Sequence, residues 1–264
     1  MISKKIHIVS CPRSKSTCIA RVLEKALNYQ VVHEPYIPVH DKVNYAELTK
    51  DWFKTGSFTT PTDVKNLIND IVRSGNGVIM KDISFALTDY VADIADADAK
   101  YIFLFRDPLS IAVSFLNKCD HGVGSEELIK LIGLNTTIGL YEKLSQTVPD
   151  SNILVVNTED ILLALKKIFK FIGSEFVDDY LILNKNGEPT NDIATISDRW
   201  HESKRDDLFE HWHGQAITSR FITTDIKYYT IDDFNYSVYG EYYKMFAEQL
   251  ENDYNKLIVI ADSI

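Results

Sequence analysis

Five short apolar runs, most of them separated by stretches of helical periodicity, constrain the fold of this chain more than any other feature. They lie at residues 5–10, 30–32, 77–80, 101–105 and 152–156. Apolar at consecutive rather than alternate positions, such runs suit strands buried on both faces. The segments between them read as helices. Residues 17–27 carry Ile19, Val22, Leu23 and Ala26 at helical spacing. Residues 62–73 follow Thr60 and Pro61 and contain Asp63, which supplies a cap, a first-position proline and a first-turn acid. Residues 85–94, 109–117, 126–144 and 161–171 continue the alternation. Strands alternating with helices need crossover connections, so the expected fold is α/β: a mostly parallel central sheet flanked by helices on both faces.

On such sheets ligands bind outside the carboxyl ends of the strands. The first of these ends is the loop "CPRSKST", residues 11–17. Arg13 offers a planar fork of donors and Lys15 a compact charge, both suited to an anion. Ser14, Ser16 and Thr17 can add hydroxyl donors and cap the helix that follows. Helix N-termini expose unpaired N–H groups and partial positive charge, which is where phosphate and sulfate bind. The plain alternative is an ordinary cap with two solvated cations. The second segment is "RDPLSIAVS", residues 106–114. Arg106 stands at the end of a strongly apolar run, Asp107 can cap, Pro108 suits the first helical position, and Ser114 follows two turns later. An arginine at a strand end needs a partner or a site; a structural pair with a carboxylate is the competing reading.

Composition narrows the function classes. The chain has 264 residues, 45% hydrophobic and 25% charged, with no internal repeat and no low-complexity tract. A net charge of -10 argues against coating nucleic acid, which needs a basic face, but leaves a small anionic ligand open. Cys11, Cys18 and Cys119 are odd in number and without metal-ligand spacing, as reduced thiols in a cytoplasmic protein would be. No stretch has the length of a membrane span, and the N-terminal apolar run is too short for a signal peptide. No metal, nucleic acid or membrane is expected, and the oligomeric state stays open.

Together the two segments resemble the P-loop sulfotransferase superfamily, which uses 3′-phosphoadenosine 5′-phosphosulfate (PAPS). "PRSKST", with Pro12, Arg13, Ser14, Lys15, Ser16 and Thr17, is similar to that family's 5′-phosphosulfate loop. Arg106 and Ser114, eight residues apart with Asp-Pro between, match its 3′-phosphate motif. "VVHEPY" and "VIMKDISF" resemble segments of one branch of the superfamily, and "NILVVNTEDIL" is a weaker echo. The likeness spans about residues 5–120. Two departures stand out: Lys15 occupies the position of the usual loop glycine, and the family's C-terminal Arg-Lys-Gly motif is missing. Lys204 and Arg205 are the candidates to replace the latter.

The resemblance implies a P-loop NTPase-like sulfotransferase fold. Residues 1–264 then form one domain, with a cofactor-binding core at 1–175 and a mainly helical part at 176–264. The latter contains a long aromatic-rich helix at 238–257 and is a candidate cover for an acceptor pocket. The implied reaction transfers a sulfuryl group from PAPS to a hydroxyl or amine of an unidentified small-molecule acceptor, leaving 3′-phosphoadenosine 5′-phosphate (PAP). Arg13 would stabilise the leaving phosphate, and Glu34 of "HEPY" would be the base, with an N-terminal cap or a salt bridge as the competing reading for Glu34. Strand alternation would send its neighbour His33 to the opposite side. Lys81, with Asp82 at the end of the third run, is a second-line candidate for acceptor binding or charge stabilisation, and for Asp82 a structural role is favoured. His211 and His213, at i and i+2, do not point together as metal ligands would, and His121 and His201 read as surface or packed residues, with a place near the acceptor as the other reading. A P-loop kinase is the main rival, since Lys15-Ser16 has the Walker lysine–hydroxyl pair, but Val9 and Ser14 stand where the Walker glycines belong. A non-catalytic anion-binding or scaffold protein on the same fold is the other.

Overall fold

The structure is a computed structural model that describes residues 2–40, 60–116, 125–182, 229 and 238–263. Five strands form the sheet: β1 (Lys5–Ser10), β2 (Gln30–His33), β3 (Val78–Ile83), β4 (Lys100–Phe105) and β5 (Ile153–Asn157). Their order is β2-β3-β1-β4-β5, and every neighbouring pair is parallel. The expected α/β architecture is therefore the observed one. The register sets Ile8 beside Lys81 and Ile102, and Ser10 beside Ile83 and Leu104.

Two apolar layers hold the sheet. On one face, Ile6 and Ile8 of β1 and Ile102 and Leu104 of β4 pack with Ile19, Val22 and Leu23 of α1 (Ser16–Leu27). The helix after β5, Ile161–Ile172, adds Leu165, Ile168 and Phe169 to that face. On the other, Val9, Phe103 and Phe105 pack with Val64, Ile68 and Ile71 of the helix Pro61–Arg73 and with Leu250 and Leu257 of the final helix, Val238–Ser263. The start of Pro61–Arg73 is as the sequence indicates: Thr60 and Asp63 form a reciprocal capping box with Pro61 behind it. No helix among the described residues is long and apolar enough to cross a membrane.

Three expectations need correction. The segment 85–94 is not one helix but two single turns, Ser84–Leu87 and Val91–Ile94. The segment 126–144 is split at Gly133 into Ser125–Ile132 and Leu134–Leu144. Gly133 has φ 74, and a Cβ there would sit 3.1 Å from Cδ of Pro12, so the break makes room for the loop after β1. The third strand runs three residues further than the apolar run, because its polar residues Lys81 and Asp82 are buried and paired rather than terminal. Lys204, Arg205, Cys119, His121, His201, His211 and His213 lie outside the described residues, as does most of 176–264.

Candidate functional site

The connection after β1 leaves toward β2, while that after β4 leaves toward β5, so a crevice opens between the carboxyl ends of β1 and β4. Both motif segments end there. We number the helix Pro108–Leu116, which follows β4, as α2. Asp107 starts it, accepting the Ser110 N–H at 2.7 Å, and two turns on it presents Ser114. Arg13 donates its Nε–H to Oγ of Ser114 at 3.0 Å. The two segments, about a hundred residues apart in sequence, are thus in direct contact.

The loop is held from beneath. Ser14 donates to the Cys11 carbonyl at 2.6 Å, and Cys11 Sγ lies 3.1 Å from the Thr137 hydroxyl. Burial pushes the Cys11 thiol up to about 12, so it stays a neutral packing group. The Ser10 hydroxyl is 3.1 Å from the Ser16 hydroxyl, and Thr17 Oγ1 is 3.2 Å from His33 Nε2. The hydroxyls expected to cap α1 are turned to these neighbours instead, and the residue at its N-cap position, Lys15, makes no side-chain cap hydrogen bond. Arg13 and Lys15 both have left-handed backbone, φ 60 and φ 61. This is why glycine would be at ease at position 15, and why lysine there carries a conformational cost of about 1–2 kcal/mol.

Lys15 crosses the crevice and donates Nζ–H to the Glu159 carbonyl at 2.9 Å. Burial, then the nearby Arg106, lowers its pKa, while Glu159 works in the other direction. Arg106 is buried and forms a two-pronged pair with Glu159: Nε to Oε2 and Nη2 to Oε1, each 3.1 Å. The strand-end arginine therefore has a carboxylate partner and also borders the site. Glu159 lies inside the weaker echo "NILVVNTEDIL" but was not singled out there as a site residue; its signals are that segment and its place just beyond the fifth strand end.

A second cluster lies beyond β2 and along β3. Glu34, Lys81 and Asp82 are at most 4% exposed. Lys81 Nζ is in contact with Glu34 Oε1, and Asp82 accepts the Tyr36 N–H at 3.4 Å. Burial, reinforced by the nearby Glu34 charge, pushes the Asp82 carboxyl well above the usual carboxylate range. His33 and Glu34 do not diverge as alternation implies: Glu34 has left-handed backbone, φ 49, and its Oε1 lies 3.9 Å from His33 Nδ1. Alternation ends with β2, one residue earlier. Through Thr17 and His33 the two clusters touch, so Glu34 and the loop after β1 share one end of the sheet.

No protein-family model and no curated protein matches the chain. Among solved structures, the chain is similar to a sulfotransferase from Alicyclobacillus acidocaldarius, with a TM-score of 0.50 at 16% identity, covering 75% of this chain and 94% of that one. A sulfotransferase domain from the curacin biosynthetic pathway aligns at TM-score 0.47 and 17% identity, covering 84% of this chain and 93% of that domain. Mouse sulfotransferase SULT7A1 complexed with PAP aligns at 0.46 and 16%, covering 93% and 82%. The similarity to the Alicyclobacillus structure shows that the chain has a sulfotransferase fold.

Proposed function

We propose that this chain is a sulfotransferase that takes PAPS as donor and transfers its sulfuryl group to a hydroxyl or amine of a small acceptor. One observation carries the reading. Arg13 and Ser114 are hydrogen-bonded at 3.0 Å, so the segments resembling the family's 5′-phosphosulfate and 3′-phosphate motifs border one crevice. The donor set suits a bis-phosphorylated nucleotide: the N-terminus of α1 with Arg13, Lys15, Arg106, Ser114 and Thr17 around it. When bound, PAPS supplies an activated sulfuryl group and a phosphate leaving group.

The residues then divide the work. Arg13, oriented through its Nε by Ser114, stabilises charge developing on the departing phosphate oxygen. The Lys15 ammonium, fixed on the Glu159 carbonyl, adds positive potential from another side. Pro12 and the buried Ser14 shape the loop, and Ser16 and Thr17 begin the helix that points its amides at the anion. Glu34 accepts the acceptor's proton, and Lys81, in contact with its Oε1, aims that carboxylate. The free thiols of Cys11 and Cys18 accord with a cytoplasmic setting.

The test pairs calorimetry against PAP and against ATP with Mg2+ with incubation in labelled PAPS and a panel of alcohols, phenols and amines. PAP binding with label transfer is the expected result. Binding of ATP–Mg2+ alone would make the chain a kinase, and a folded protein that binds neither nucleotide would be a scaffold.

A further inference from the structure

We propose that Glu159 sets the affinity of the crevice by competing with the ligand's anionic group for Arg106. This deepens the reading above and rests on it only in taking the crevice as an anion site. The carboxylate engages Arg106 edge-on with two hydrogen bonds of 3.1 Å. That is the planar, two-pronged geometry in which a guanidinium also takes phosphate. The pair is poorly screened, with side-chain exposures of 9% and 19%. The same residue's carbonyl accepts from Lys15, so Glu159 engages two of the three cations of the site.

The turn that delivers Glu159 is built for it. Asn157 Oδ1 accepts the Glu159 N–H at 2.8 Å, and Asn157 Nδ2 donates to the Tyr254 hydroxyl at 2.7 Å. Thr158 is tied to the Phe105 carbonyl through both its N–H, at 2.9 Å, and its hydroxyl, at 3.0 Å. Tyr254 lies on the final helix, so the carboxylate is held from the C-terminal part of the chain as well as from β4. An anion arriving at Arg106 meets a negative charge already in place. Either the carboxylate gives up the fork or the two anions share it at a Coulombic cost.

The test is Glu159→Gln, which keeps shape and removes charge, titrated with inorganic pyrophosphate and separately with PAP. We expect about tenfold tighter binding of either probe, the order of one anion–anion repulsion at this range after solvent screening. A residue that merely orients Arg106 could only lose affinity when changed, so the direction of the effect is the discriminating readout. Tighter pyrophosphate binding by the variant with no PAP binding by either protein would uphold the inference and end the nucleotide reading. PAP binding by the unaltered chain, with equal or weaker binding of both probes by Glu159→Gln, would overturn the inference alone. Failure of both proteins to bind either probe would overturn both. Should Glu159→Gln fail to fold by circular dichroism, Glu159→Asp retains the charge but is too short to hold both donors. It should bind the probes more tightly too, and unchanged or weaker binding would overturn the inference.

Discussion

Gly133→Ala should damage both the stability of this protein and its grip on an anion, and Gly173→Ala provides the matched control. Both glycines are left-handed, φ 74 and φ 76. Each substitution therefore incurs the cost of placing an L-residue in that region, about 1–2 kcal/mol. At Gly173, which ends the helix Ile161–Ile172, an added Cβ meets nothing within 4 Å, so the cost stops there. At Gly133 it meets Pro12 Cδ at 3.1 Å and Ser84 Oγ at 3.2 Å. Neither neighbour can retreat freely: Pro12 is a buried ring, and Ser84 is buried in the turn just after β3. Crowding adds about 1–3 kcal/mol. At about 2–4 °C per kcal/mol for a chain of this size, Gly173→Ala should lower Tm by a few degrees and Gly133→Ala by about twice as much. The strain at Gly133 is transmitted to Pro12, next to Arg13, so pyrophosphate or PAP titration should show weaker binding for Gly133→Ala alone. Equal Tm losses in the two variants, or unchanged affinity in Gly133→Ala, would refute the idea that this glycine exists to seat the loop.

Arg13→Ala should lower kcat for sulfuryl transfer by about 10²–10³ with little change in Tm, because the side chain is only part-buried and acts on transition-state charge. Lys81→Met removes the ammonium in contact with the buried Glu34 carboxylate and should cost about 3–5 kcal/mol in urea unfolding. The double variant Glu34→Gln with Lys81→Met should recover part of that loss while remaining inactive, and strictly additive losses would speak against the pair. Burial holds His7, its ring tilted against that of Tyr101 with centroids 5.0 Å apart, down at about 4. Its folded pKa lies below its unfolded value near 6.5, so the unfolded chain binds the extra proton first. The contribution is fully present above about pH 6.5 and is lost as pH falls through 4, about 3 kcal/mol in all. The buried Asp82, whose pKa is raised, acts in the opposite sense, so the measurement is the difference between the native chain and His7→Phe across that window. A constant difference from pH 4 to 7 would sink the assignment.

Much of the site is legible because its parts are local. The Arg13 loop follows an apolar run, and the spacing of Arg106, Asp107, Pro108 and Ser114 requires only one strand end and one helix. What was not legible depends on contacts between distant segments. The hydroxyls of Ser14, Ser16 and Thr17 look like caps until Cys11, Ser10 and His33 are seen to take them. His33 and Glu34 look divergent until Glu34 is found left-handed. Glu159 sits in the segment "NILVVNTEDIL", but its role comes from Arg106, fifty-three residues earlier.

The amino-acid order alone thus determines the alternation of buried strands and amphipathic helices, and with it a parallel sheet with an anion-ready loop at the end of its first strand. Those outcomes follow from hydrophobic period and backbone preference over ten or so residues. Tertiary structure alone decides that β1 lies between β3 and β4, and so which strand ends share a crevice. It also decides whether each cation there faces a carboxylate or another donor. Charge pairing acts over a few ångströms in space and is indifferent to separation along the chain, so it is settled only once the sheet has assembled.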